Sequence, residues 1–318
     1  MPMTLERPPS GDALATAHAP AARLRQTMTG VRLSFSWFGL RRTLTPGQKS
    51  QAAEALAASG DVLAASKKLL DTKHPAFQAV SAIRNRATSY WKALSLPFPE
   101  PGLRLIRQAD VEEFHHRLTE FATELSSAVD ELERCYPELR AAAAARLGQL
   151  YHPGDYPSSL RDEFALTWEF PAVEPPEYLR RLSPELYRRE CERVTLQFND
   201  AVALAEQAFC EEFGNLVTHL AERLAGDAEG PPKVFRDSAV TNLRGFFERF
   251  RTLNVGSNEE LETLVDQAQQ LLRGVAPQEL RANTSLRDRI RAQLDGVQAS
   301  LETLLIDRPR RNIVRRPR

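Results

Sequence analysis

The sequence predicts a mainly α protein: long, antiparallel, coiled-coil-like helices, a small β-sheet at one end and a C-terminal helical segment. Three observations predict it. Apolar residues recur at alternating three- and four-residue steps over two very long segments. Three short segments alternate apolar and polar residues instead. Helix-start signatures then crowd the last third of the chain.

The chain opens with residues 1–29, which show no sustained period and carry scattered prolines. They read as a disordered leader. A mitochondrial transit peptide is disfavoured by Glu6 and Asp12, and Asp12, His18, Arg23 and Arg25 leave no signal-peptide core. Val31, Leu33, Phe35 and Trp37 then alternate with Arg32, Ser34 and Ser36, the period-two pattern of a half-buried strand. Thr45, Pro46 and Gln48 supply an N-cap, a proline at the first helical position and a capping-box partner. A second short helix is expected from Asp61 to about Leu70.

A helix from His74 to Leu94 presents Phe77, Val80, Ala87 and Trp91 on one face. Pro97, Pro99 and Pro101 end it, and Leu103 to Arg107 reads as a strand. Asp110 with Glu113 opens the first long helix. Its expected stripe is Val111, Phe114, Leu118, Phe121, Leu125, Ala128, Leu132, Cys135 and Leu139, a heptad pattern, with a kink or break near 134–136 ahead of Pro137. A loop from Tyr151 to Ser159 precedes the third strand, Phe164 to Phe170. Ser183 and Pro184 start the longest helix, whose stripe runs Val194, Phe198, Val202, Ala205, Phe209, Phe213, Leu216, Leu220 and Leu224. A helix of that length, roughly 60 Å at 1.5 Å per residue, must lie on another long helix, and 110–147 is the expected partner. The two stripes suit pairing between copies of the chain as well as within one, so a homo-oligomer is compatible with the pattern. Helices are expected at 237–251, 258–273 and 277–305. The domain reading is a leader at 1–29, a small sheet with a long helical hairpin at 30–226, a C-terminal helical domain at 227–306 and a basic tail at 307–318.

Composition narrows the function classes. Lys plus Arg and Asp plus Glu both number 42, so the body as a whole is not a polyanion binder. No uncharged apolar run approaches the roughly 18 residues of a membrane span, which argues against a membrane partner. The three cysteines, Cys135, Cys191 and Cys210, form no C-x-x-C pair, and no histidine completes a zinc set. They read as small apolar residues in a reducing cytosol. Glu112, His116 and Glu120 stack at i, i+4 and i+8, but no matching ligand pair stands on another helix, so a solvated polar face is the simpler reading. Nucleophile elbows, phosphate-cradling glycine loops and Cys/His nucleophile motifs are missing. The sequence therefore points to a protein that is not an enzyme and needs no cofactor or metal.

One charge feature is concentrated. Arg308, Arg310, Arg311, Arg315, Arg316 and Arg318 share the last eleven residues with no acid, and Pro309 and Pro317 oppose helix. Six arginines suit phosphate contacts to a nucleic acid, docking on an acidic protein surface, or simply a solvated terminus.

Two stretches carry a family likeness. One runs from Lys233 through Phe235, Arg236, Asp237, Asn242 and Phe247 to Phe250, Asn254 and Val255. The other is Asp155, Tyr156 and Pro157 followed by Phe164, Trp168, Glu169 and Phe170. Together they resemble an uncharacterised family, filed as a domain of unknown function, in phages and bacteria, over about residues 30 to 273. Its genes often lie near those of MoxR-type AAA+ ATPases and von Willebrand A-type proteins. The resemblance thus implies an AAA+ ATPase as partner, with the Gly148–Ser159 loop or the Val234–Asn254 segment as contact, and carries no catalytic residue. Residue chemistry gives the second segment a structural role too. Asp237 or Ser238 can cap its helix; Val240, Leu243, Phe247 and Phe250 form a buried face; and Arg236 with Asp237 offers a polar contact to the long helix. The leading expectation is a helical scaffold or adaptor, with nucleic-acid binding through the tail as the alternative.

Overall fold

The computed structural model describes residues 11–54, 59, 62, 64–225 and 237–306, without the side chains of 11–18, 282, 305 and 306. Among these residues the chain is mainly α. It is 70% helical, about twice the one-third of an average domain, with a small antiparallel sheet. The elements are α1 (Gly11–Thr27), β1 (Met28–Ser36), β2 (Arg41–Thr43), α2 (Pro46–Glu54), β3 (Ser66–Lys68), α3 (Pro75–Ala93), β4 (Ser95–Pro97), β5 (Leu103–Arg107), α4 (Val111–Leu147), β6 (Ala165–Glu169), α5 (Tyr178–Leu182), α6 (Pro184–Ala225), α7 (Ser238–Leu253), α8 (Glu259–Leu271), α9 (Pro277–Ala282) and α10 (Thr284–Ile306).

Two compact units share the described residues. The first holds those up to Gly30, Leu94–Arg107 and those from Ala172 onward; the second holds Val31–Ala93 and Gln108–Pro171. This division differs from the expected boundary near 226, because α6 packs on α10 and α7 and so joins the C-terminal helices.

In the first unit α6 is covered by α10, α1 and α7. Phenylalanines supply much of this core. Phe213 stacks on Phe246 at 5.2 Å between centroids, and Phe209 meets Phe250 edge-on at 5.1 Å. Because later α6 residues meet earlier α7 residues, the two helices run antiparallel. β4 and β5 form an antiparallel pair, and Phe98 just beyond β4 meets Phe198 of α6 edge-on at 5.7 Å. The expected disordered leader is corrected here: α1 is helical, buries Ala21 and Leu24, and packs on α6. Arg25 at its end donates two bonds to Glu174, at 2.6 and 2.5 Å, and this carboxylate raises the guanidinium pKa. Ala21, Leu24 and Met28 are too few to announce a period.

In the second unit β1 pairs antiparallel with β6, Leu33 opposite Trp168 and Phe35 opposite Leu166. Both strands stand where alternation places them. The long helix α4 lies antiparallel on α3: Tyr90 stacks on Phe114, and Arg86 reaches back to Glu124. Each long helix has cover within its own unit, α4 from α3 and α6 from α10, α1 and α7.

Three further expectations change. First, α4 is unbroken through Pro137, whose side chain is exposed. Its buried stripe is Phe114, Leu118, Phe121, Leu125, Val129, Leu132, Tyr136, Leu139 and Ala143, 29 residues in eight steps. That is the 3.6-residue period of a straight helix, so the stripe drifts away from the heptad positions Ala128 and Cys135. Second, the helix expected at 61–70 is overturned by β3, which pairs antiparallel with β2, Arg41 opposite Lys68. Its partner lies some 25 residues upstream, and local propensity in Ser66, Lys67 and Lys68 does not show it. Third, the helix expected at 277–305 is two helices, because Asn283 accepts the Leu286 N–H at 3.0 Å and restarts the turn as a cap.

Candidate interaction site

The α7 segment singled out in the sequence forms one wall of a groove. Ala239, Val240, Leu243, Phe246, Phe247, Phe250 and Leu253 bury one side of α7. Its other side carries polar residues, which is why the helix can line a solvent-facing cleft. The turn after α7 is fixed by Asn254: its Oδ1 accepts the Gly256 N–H at 3.1 Å and its Nδ2 donates to Glu262 at 2.6 Å. Gly256 sits at φ 62°, in the left-handed region that favours glycine. Asn258 then caps α8 by accepting the Leu261 N–H at 2.9 Å.

The groove lies between α7, α8 and the loop from Leu272 to Pro277 and measures about 970 Å³, at the upper end of the roughly 300–1,000 Å³ of small-ligand sites. α7 contributes Arg244, Phe247, Glu248 and Arg251; α8 contributes Asp266, Gln269 and Gln270. Arg244 holds the loop, its guanidinium donating to the Val275 carbonyl at 2.7 Å. Gly274, at φ 75°, turns that loop back toward the helix. Arg251 faces Asp266 at 3.9 Å, a loose and exposed pair. The Oε1 of Gln269 is shut off from solvent and meets no donor. Phe247, Leu272 and Val275 give the groove an apolar floor. Its chemistry is guanidinium, carboxylate and amide on an apolar base.

Neither of the two expected site residues that the structure describes lines this groove. Asp237 and Asn242 are exposed on α7 and lie outside the groove lining. Among the described residues Asp237 makes no side-chain cap on α7, and its carboxylate pairs with Arg281 of α9. Phe235, Arg236 and the arginines 308, 310, 311, 315, 316 and 318 lie outside the described residues. Sequence reasoning passed over Arg244, Glu248 and Arg251, although their i, i+4, i+7 spacing marks one helix face. Gln269 and Arg273 had no such signal.

The Gly148–Ser159 loop, the other expected contact, is pinned from inside its unit. Lys67 of β3, only 7% exposed, pairs with Asp155 at 2.6 Å and donates to the Leu150 carbonyl at 2.6 Å. The Tyr136 hydroxyl donates to the Pro157 carbonyl and the Tyr156 hydroxyl to the Leu69 carbonyl, both at 3.0 Å. Arg140 lies over both tyrosine rings, at 5.6 and 5.9 Å. Burial pushes the Tyr136 phenol up to about 12 and also raises Tyr156.

On the α4 surface Glu120 is taken by Arg117, which lowers its pKa, and by His116 at 3.3 Å. The neighbouring His115 accepts the Trp168 indole N–H at 3.0 Å. Among the described residues no group of three His, Cys, Asp or Glu is placed to hold a metal ion. Cys210 is buried as expected, whereas Cys135 and Cys191 are half-buried. No helix among the described residues is long and apolar enough to cross a membrane. Compared with family models, curated proteins and solved structures, the chain matches none.

Proposed function

We propose that the protein is a non-enzymatic helical scaffold or adaptor, working in a reducing cytosol through protein–protein contacts, and that the α7–α8 groove is its binding face. The lining of that groove carries the reading: charged groups of both signs ring an apolar floor, the pattern of a recognition patch with a polar rim. The family resemblance adds an AAA+ ATPase as the partner class, since α7 lies in one of the two stretches that bear it. The test is affinity capture of the tagged chain with nucleotide supplied, beside Arg251→Glu/Arg273→Glu. The wild type should retain a partner that the double variant loses. Equal recovery by a folded double variant removes the groove as the binding face, and recovery of no ATPase removes the ATPase.

Nucleic-acid binding is kept as a second reading because six arginines occur without an acid after Asp307. Ending the chain at Asp307 should abolish salt-sensitive binding to DNA and RNA. Unchanged affinity at low salt ends this reading.

A further inference from the structure

The groove carries more than a general binding role. Three features of its lining constrain the occupant, and the inference rests on the reading of the groove as a binding face. Arg273 lies exposed in the lining and makes no ion pair among the described residues. Arg251, its fellow cation, is held only by an exposed Asp266 at 3.9 Å, so a ligand carboxylate can recruit it without breaking a tight pair. Gln269 brings an amide whose oxygen meets no donor. Turning that oxygen toward a ligand N–H therefore sacrifices no existing bond and satisfies a group that otherwise bears a desolvation penalty.

These features discriminate between ligand classes. A phosphodiester backbone would satisfy the guanidiniums but carries no hydrogen-bond donor for the Oε1 of Gln269 and no apolar group for the floor. A purely apolar ligand would suit Phe247, Leu272 and Val275 but leave Arg273 unanswered. A peptide supplies all three complements: backbone N–H groups, a carboxylate and apolar side chains. We propose that the groove binds an extended acidic peptide segment, with an Asp or Glu carboxylate on Arg273 and Arg251 and a backbone N–H on the Oε1 of Gln269.

The probe is a phage-displayed library of random decapeptides, selected against the intact chain. Peptides chosen by the wild type should be enriched in Asp and Glu. Arg273→Glu should weaken those peptides at least tenfold and shift its own selection toward Lys and Arg. Gln269→Leu should weaken them about tenfold with the acidic preference retained, while its melting temperature stays level or rises, because an unpartnered acceptor has been removed. A fall in melting temperature beside the lost binding would show a structural role for Gln269 and overturn its assigned contact. Selected peptides without acidic enrichment, or ones that Arg273→Glu binds equally well, overturn the acidic segment and leave the groove as a binding face. Retrieval of no peptide, together with an unchanged capture by the Arg251→Glu/Arg273→Glu chain, overturns both. Competition by millimolar inorganic phosphate at constant ionic strength would instead assign the groove to a phosphate group and overturn the peptide.

Discussion

Two regions of the molecule, one in each unit, are held by different means. Around α6 and α7 the contacts are mainly apolar: Phe209, Phe213, Phe246, Phe247 and Phe250 pack ring on ring, and Arg249, paired with Glu212, lies over the Phe246 ring. Around the Gly148–Ser159 loop the contacts are polar and specific. They comprise a buried ammonium–carboxylate pair, two tyrosine hydroxyls on backbone carbonyls and a guanidinium over aromatic faces. An apolar cluster loses stability in proportion to the volume removed. A polar pin fails abruptly, because each partner left behind is a buried group without its complement. The first kind of packing tolerates drift in sequence; the second fixes one conformation of one loop.

The largest expected effect lies on the apolar side. Phe213 is wholly buried and stacked on Phe246, so Phe213→Ala should cost about 3–5 kcal/mol in urea unfolding. Phe213→Leu should restore most of that loss, since shape and apolar area rather than a partner are at stake. Restoration of none would mean that the ring stacking itself, and not burial, holds α6 to α7.

Lys67 should behave in the opposite manner. Lys67→Met leaves Asp155 inward-facing without its cation, and because the Asp155 side chain keeps 21% exposure the cost should be about 2–3 kcal/mol, somewhat below that of a fully buried pair. Adding Asp155→Leu should recover much of the loss. The two single changes should therefore be strongly non-additive in a double-mutant cycle. Additive losses would show that the pair is not coupled and dissolve the contrast between the two regions.

The contrast also explains what could be read from residues alone. The reciprocal Thr45–Gln48 cap and the alternation of β1 and β6 are local patterns, and each is where the sequence places it, whereas the stripes of α4 and α6 were legible only in part: Val129, Tyr136, Ala201 and Val217 are buried where the heptad selects Ala128, Cys135, Val202 and Leu216. The Lys67–Asp155 pair joins residues 88 positions apart, and nothing in Ser66, Lys67 and Lys68 reveals that the middle side chain turns inward. Tyr136 was hidden for a subtler reason. A strict heptad selects Cys135, and only the 3.6-residue period brings the tyrosine to the buried face. The groove was half legible. Arg244, Glu248 and Arg251 share a helix face, but Gln269 and the Leu272–Pro277 loop are brought to them by tertiary packing.

A smaller effect sharpens the polar side by its pH dependence. The Tyr136 hydroxyl is held in its neutral, donating form, with the pKa pushed up to about 12 chiefly by burial, against about 10 in an unfolded chain. A raised folded-state pKa means that the unfolded chain gives up its proton first. The contribution of Tyr136 is therefore complete below pH 10 and is lost as pH climbs through 12. Tyr136→Phe removes the bond to the Pro157 carbonyl, and at pH 7 it should cost about 1 kcal/mol. Between pH 10 and 12 the wild type should lose stability more steeply than Tyr136→Phe, so the two unfolding midpoints should converge. The remaining raised phenols, among them Tyr156, titrate in both proteins and cancel in the difference. Parallel midpoints across that window would show that the hydroxyl is not shielded by the fold. The loop would then be pinned by Lys67 and Tyr156 without help from α4.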